Sequence, residues 1–343
     1  MRRNDGLDAV RLSAEVMVFC SHLAYYGIVT GVFSLAVGLR SGVVLFFVLS
    51  GYLLYRPFVL GEANLGAYLI RRFARIIPAY WVALVGTTFL SGDQAFVRDP
   101  IPYLVFAQNY SPESFNGFLG VSWTLVLEMT FYAVLPLLAA LARRHGAWIL
   151  VTLGLLSFLG QIGTWELGPR VGLEYGSLRL IASLFPFVLW CFIPGMLLAR
   201  FEGDHRLAWT GRSRAALLGV VLLLLGVASN PWSTNNPLAV AGSFLLVAFG
   251  VARPGIRLPG WVAYGAAISY AAYLWHVDVM RLFAGWPAAG ILAAIATVSI
   301  ASASYYLVER PVLAAARRRF SRAGSIPVAS TEVRELAPVE SLP

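Results

Sequence analysis

Several ionisable side chains stand inside stretches that are otherwise apolar, and these are the groups able to do chemistry. Arg11, Glu15 and His22 sit at offsets of 0, 4 and 11. At 3.6 residues per turn they fall within about 40° of one another, a single polar stripe about 16 Å long on one helix. A charge at mid-bilayer costs about 2.5–3.5 kcal/mol or more, so such a stripe must face a bundle interior or a wet cavity. On the functional reading, the three side chains line such a site together. The plainer alternative is an Arg11–Glu15 pair that only holds helices together, with His22 a satisfied interior donor.

Glu128 is the second group, in the run SWTLVLEMTFY (122–132) beside Ser122, Trp123 and Tyr132. A membrane carboxylate must be neutral, paired or wet, and a histidine partner would let it orient an imidazole. A helix-packing hydrogen bond is the alternative. In SYAAYLWHVDVM (269–280), Tyr273, His276 and Asp278 lie towards the outer end of an apolar span, where a structural or substrate-orienting role stands level with catalysis. In RRFARIIPAYW (71–81), Arg71, Arg72 and Arg75 occupy a helical arc of about 100° and can converge on one polyanion. The planar guanidinium fork suits phosphate, although arginines that merely anchor a helix on the cytoplasmic side fall at the same place. Arg317, Arg318 and Arg319 read as a plain cytoplasmic stop.

The elements that must position these groups are membrane helices. The chain has 343 residues, 59% of them hydrophobic and 13% charged, with a mean hydropathy of +0.73. Soluble domains carry about 25% charged residues, so lipid is the expected solvent. Spans of roughly 20 apolar residues are expected at 7–28, 38–60, 76–92, 121–142, 147–163, 177–200, 213–229, 237–252, 261–283 and 288–308. Lipid-exposed backbone satisfies its hydrogen bonds only within helices or closed barrels. The expected fold is therefore all-α, a polytopic bundle of about ten transmembrane helices.

The net charge of +9 does not point to nucleic acid, because every basic residue is arginine and most stand in short loops between spans. Most loop arginines fall on one side if the N-terminus is cytoplasmic, leaving Arg40, Arg98, Arg170, Arg179 and Arg281 outside. That bias places both termini in the cytoplasm. The start MRRNDGLDAVRL has the charge of a signal peptide, but Arg11, Glu15 and His22 in the following span mark a retained helix. Residues 1–319 are expected to form one transmembrane domain and 320–343 a disordered cytoplasmic tail. Outside loops at 93–120, 163–177 and 229–237 are the longest, the last carrying Asn230, Pro231, Trp232, Asn235 and Asn236. Cys20 and Cys191 lie within apolar spans and support neither a disulfide framework nor a zinc site. The lack of lysine beside abundant alanine, leucine and valine fits a GC-rich genome, and the expected location is a bacterial plasma (cytoplasmic) membrane, crossed many times.

Read in order, these segments resemble the acyltransferase-3 family of integral membrane acyltransferases from about residue 5 to 312. Arg11 and His22, separated by ten residues, are similar to its first-helix signature. SGVVLFFVLSGYLL (41–54), RRFARIIPAYW, SWTLVLEMTFY, FIPGMLLA (192–199), SYAAYLWH and YYLVERP (305–311) follow in the family's order. One departure is Val44, which stands where the second-helix motif usually has an acidic residue two positions before paired phenylalanines.

The resemblance implies transfer of an acyl group, acetyl or another short acyl, from acyl-CoA to a hydroxyl on a glycan, glycolipid or glycosylated small molecule such as a macrolide. His22 is the expected base, with Glu128 as its orienting partner or an alternative base. Arg11 would pair with Glu15 or face the donor, and Arg71, Arg72 and Arg75 would hold the coenzyme A phosphates. Glu15, Trp123, Tyr273 and His276 would serve the acceptor side or support the site. No metal is required. A secondary transporter or flippase-like exporter is the competing class, since membrane Arg, Glu and His also make proton relays. The internal repeats and paired broken helices common in transporters are not evident in the sequence.

Overall fold

The computed structural model describes residues 4–115, 118–202, 204–229 and 235–323. Among them every regular element is helical. Arg2, Arg3, Asn230, Pro231, Trp232 and the tail beyond Ala323 lie outside the described residues.

Helix α1 (Asp5–Tyr25) begins where the Asn4 side chain accepts the Leu7 amide at 3.2 Å, and Asp5 and Asp8 complement the positive end of its dipole. Asn4 also donates to the Gly250 carbonyl (3.0 Å), and Asp5 accepts the Leu258 amide (3.0 Å). These bonds pin the start of α1 to two later segments. Helix α2 (Gly42–Val59) follows a 3₁₀ stretch, Gly31–Ser41.

Helix α3 (Leu65–Ser91) starts eleven residues earlier than the apolar span at 76–92 suggests. The reason is local. Asn64 caps the helix through the Ala67 amide (2.9 Å), and Leu, Ala and Arg propagate it without an apolar run. Gly92, left-handed at φ 67°, ends it. Arg71, Arg72 and Arg75 are therefore in the body of the helix.

Helices α4 (Trp123–His145), α5 (Trp148–Leu167), α6 (Tyr175–Ala182) and α7 (Ile193–Arg200) come next. The continuous span expected at 177–200 is broken between α6 and α7. Pro186 and Pro194 lack an amide hydrogen and sit in first turns, where none is needed. Side chains of α5 satisfy the freed groups. Gln161 donates to the Ala182 carbonyl and accepts from the Trp190 indole, each at 3.1 Å, while Ser157 accepts the Trp190 amide at 3.1 Å. Non-helical backbone is tolerated at membrane depth only where it is buried and satisfied in this way.

The remaining helices are α8 (Ser213–Ser229), α9 (Pro237–Ala252), α10 (Gly260–Phe283), α11 (Ala289–Ser304) and α12 (Arg310–Ala323), the last two joined by a π turn, Tyr305–Glu309. Among the described residues five stretches are long and apolar enough to cross a membrane: Ala36–Val59, Leu65–Ser91, Trp123–His145, Trp148–Leu167 and Ala289–Ala316.

Helix α10 is the centre of the bundle, with every residue from Ile268 to Met280 buried. A helix enclosed on all sides can carry His276 and Asp278 because protein, not lipid, surrounds them. It packs against α1, α3 and α11. Helices α2 and α7 cross closely at two glycines. A Cβ on Gly195 would lie 1.9 Å from the Val48 carbonyl oxygen, and one on Gly51 would lie 2.2 Å from that of Phe192. Small residues at such crossings let membrane helices reach van der Waals packing.

The 93–122 segment is no solvated loop. Tyr103, Phe106, Phe118 and Leu119 are buried in it, and Gln108 donates to the Tyr80 hydroxyl (3.2 Å) and to Ser122 Oγ (3.1 Å).

Candidate functional site

Two polar centres lie side by side in the interior. The first is a cavity of about 800 Å³, counting the space at its mouth, between α1, α2, α3, α4 and α10. Arg11, Arg72 and Arg75 line it together with Ser50, Glu128, Tyr132, Tyr270 and Tyr273, and Phe46, Phe47, Leu53 and Leu54 supply apolar wall. Three guanidiniums against one carboxylate leave the lining cationic.

The arginine set differs from the one expected. Arg71 is exposed and does not line the cavity. It lies at the outer flank of the α3 arc, while Arg72 and Arg75, three residues apart, face inwards. Arg11 of α1 completes the trio. Its expected pairing with Glu15 does not form: both Glu15 carboxylate oxygens are buried without a hydrogen-bond partner. Arg11 instead lies within electrostatic reach of Asp8 and Glu128. The Arg72 Nε is likewise buried with no partner, and its guanidinium carbon lies 6.0 Å from the centre of the Tyr68 ring.

Glu128 projects into the cavity one turn from Tyr132, whose hydroxyl donates to it. Ser50 Oγ lies 3.5 Å from the same oxygen. The carboxylate is within electrostatic reach of Arg11 and Arg72. It does not contact His22. The two were expected as partners, but Glu128 bonds to Tyr132 and Ser50, and His22 to His276.

The second centre is that histidine. His22 Nδ1 lies 3.0 Å from His276 Nε2, with ring centroids 4.9 Å apart. The same His22 nitrogen is 3.0 Å from the Val18 carbonyl, and His276 Nδ1 is 2.9 Å from the Tyr273 carbonyl and 3.2 Å from that of Ala272. His276 is fully buried, whereas His22 is half-buried.

Tyr273 links the two centres. It lines the cavity, and its ring centroid is 5.8 Å from that of His276. Its hydroxyl is held by Thr124 Oγ1 (2.6 Å) and the Val121 carbonyl (2.9 Å). Neither histidine lines the cavity itself. Trp123 is half-buried outside the lining, and its carbonyl accepts from Asn109 at 2.8 Å. Asp278 is bound by the Thr87 hydroxyl (2.5 Å) and lies 3.8 Å from Arg281.

Sequence reasoning missed Ser50 and Tyr270 in the cavity and the pairing of His22 with His276. The histidines are 254 residues apart, so only the packing of α10 on α1 joins them. An apolar helix interrupted by His and Asp was the available signal.

Chemically, the cavity is a cationic slot with an apolar wall, fitted to an anion that carries a long apolar or flexible arm. The histidine pair can accept a proton beside it.

Residues 4–308 match the family described as an acyltransferase domain. Nodulation protein 10 of Rhizobium leguminosarum bv. viciae is 26% identical, the alignment covering 90% of this chain and 93% of that one. The exopolysaccharide production protein ExoZ of Rhizobium meliloti (strain 1021) is 30% identical over 83% of this chain and 92% of its own. YrhL of Bacillus subtilis (strain 168), provisionally named a peptidoglycan O-acetyltransferase, is 24% identical over 92% of this chain and 56% of its own length. No solved structure matches.

Proposed function

Because the chain belongs to the acyltransferase-3 family of membrane acyltransferases, we propose that it moves a short acyl group from acyl-CoA to a hydroxyl of a cell-envelope or exported glycan. The glycan reading is supported by the relatives named for exopolysaccharide production and peptidoglycan O-acetylation. In this reading the protein crosses the bacterial plasma membrane ten times, α6 and α7 forming one discontinuous crossing, with both termini cytoplasmic.

The observation that carries the proposal is the convergence of Arg11, Arg72 and Arg75 on one cavity, where the buried Arg72 Nε lacks a partner. A buried donor left unsatisfied costs about 1–3 kcal/mol or more when charged, and a phosphate oxygen would satisfy it. The three guanidiniums then hold the coenzyme A phosphates, with Glu128 orienting them. The apolar wall between Phe46 and Tyr273 takes the pantetheine arm towards the histidines. His22 removes the proton of the acceptor hydroxyl as its oxygen attacks the thioester carbonyl. The C–S bond breaks, and the protonated imidazole returns that proton to the leaving thiolate. A base so placed contributes about 10²–10⁴-fold.

The test is transfer of a labelled acetyl group from acetyl-CoA to a polysaccharide acceptor by the purified protein in detergent, against His22→Ala. Label transferred by the wild type and lost in a folded, membrane-inserted variant supports the reading. Wild-type transfer by His22→Ala removes His22 as the base. Glycan flux across proteoliposomes without acyl release would make the protein an exporter.

A further inference from the structure

Two histidines in direct contact must divide two protons between four ring nitrogens, and the backbone around them leaves one division. His276 Nδ1 has two neighbours within hydrogen-bond distance, the carbonyl oxygens of Tyr273 and Ala272 at 2.9 and 3.2 Å. A carbonyl only accepts, so His276 Nδ1 carries a hydrogen. A neutral imidazole has one such hydrogen, which makes His276 Nε2 an acceptor. That nitrogen lies 3.0 Å from His22 Nδ1, which also faces the Val18 carbonyl at 3.0 Å. His22 Nδ1 therefore carries a hydrogen directed between two acceptors, and the lone pair of His22 is on Nε2. The reverse assignment would set lone pairs against the oxygens of Val18, Ala272 and Tyr273.

We propose that His276 is a positioning residue for His22, holding it in the tautomer whose unprotonated Nε2 is available to the acceptor hydroxyl. This rests on the reading of His22 as the base. The arrangement does the work that a carboxylate does in an Asp–His pair, using a neutral ring in place of the anion. No carboxylate takes that place: Asp278 is bound by Thr87, Glu128 by Tyr132 and Ser50, and Glu15, seven residues before His22 on α1, hydrogen-bonds to neither histidine. When His22 Nε2 takes the hydroxyl proton, the pair carries one positive charge. Its Nδ1–H remains bonded to His276, and the carbonyl dipoles of Val18, Ala272 and Tyr273 face that charge. Passing the same proton to the leaving thiolate restores the neutral pair. The burial pattern agrees with this order: half-buried His22 meets substrate, and fully buried His276 stands behind it.

The experiment has a spectroscopic and a kinetic arm. The chain contains four histidines, so ¹⁵N-histidine labelling of the full-length protein gives few signals, and His22→Ala and His276→Ala assign two of them. In the wild type both His22 and His276 are expected as Nδ1–H tautomers with unprotonated Nε2, the minority form of free imidazole in water. A His22 signal typical of the Nε2–H tautomer overturns the proposal. In the kinetic arm, His276→Ala should lower kcat about 10²-fold, within the range of a general base, with the donor KM unchanged. His276→Gln, whose amide oxygen can accept near the Nε2 position, should recover about tenfold of that loss. Unchanged kcat in His276→Ala, or a loss confined to KM, also overturns it. Should His276→Ala fail to fold, the wild-type nitrogen signals decide alone. A wild type that transfers no acyl group refutes the proposed function and leaves the tautomer measurement standing as a separate result.

Discussion

Tyr132 donates its phenolic hydrogen to Glu128 one turn before it on α4, so the cavity's carboxylate is anchored from its own helix while facing Arg11 and Arg72 of two others. This makes Glu128 a counter-charge for the arginines. Glu128→Gln keeps the size and the Tyr132 contact but removes the charge. The expected result is a donor KM lowered about threefold, because one negative charge facing the donor phosphates is removed while the three arginines remain, with kcat little changed. A 10²-fold fall in kcat at saturating donor would instead make Glu128 a base in its own right.

The arginines divide in the same way. Arg72→Ala with Arg75→Ala removes two of the three guanidiniums lining the cavity, and the apparent donor KM should rise by about 10²-fold or more, since hydrogen bonds to charged groups contribute about 1.5–3 kcal/mol each. Arg71→Ala, on the exposed flank of α3, should leave KM within about threefold. Equal effects from the two changes would reduce all three arginines to topology anchors.

Legibility followed periodicity. The stripe of Arg11, Glu15 and His22, the apolar spans and the arginine arc at 71–75 are patterns within one helix, and hydrophobic spacing exposes them directly. Three things did not follow from spacing. The start of α3 depends on a cap at Asn64 and not on hydropathy. The break at 183–192 depends on Ser157 and Gln161 from a different helix, whose side chains satisfy the interrupted backbone. The partner of His22 depends on which helix packs beside α1. Each is a relation between segments, and a one-dimensional pattern carries no record of it.

The break makes its own prediction. Gln161→Leu deletes both the acceptor for the Trp190 indole and the donor to the Ala182 carbonyl, leaving two buried groups unsatisfied. A loss of about 1–3 kcal/mol per group is expected, read as a lowered thermal midpoint of the detergent-solubilised protein. An unchanged midpoint would mean that water already reaches this part of the bundle.

The α2–α7 crossing is less forgiving. Gly195→Val places a branched side chain where even a Cβ would overlap the Val48 carbonyl, at 1.9 Å. The obstacle is backbone, so no rotamer change relieves it, and the two helices must separate. Loss of the monodisperse species on size exclusion is expected. Gly163→Val on α5, where no atom lies within 4 Å of the added Cβ, serves as the matched control and should elute as the wild type does.

Glu15 tests whether every polar group in α1 is there for chemistry. It is 5% exposed, on the same stripe as Arg11 and His22, yet neither carboxylate oxygen has a hydrogen-bond partner. A buried acid without a partner costs desolvation and returns nothing, so an apolar side chain of similar length should fit better. Glu15→Met is expected to raise the thermal midpoint, by about 1–3 kcal/mol in stability. Retention of a costly group is common where activity depends on it, and the same variant should therefore lose transfer activity while gaining stability. The two readouts must move in opposite directions. A variant both stabler and fully active would show that Glu15 has no part in the reaction, and one that is destabilised would show that the carboxyl has a partner, a water or a neighbouring hydroxyl.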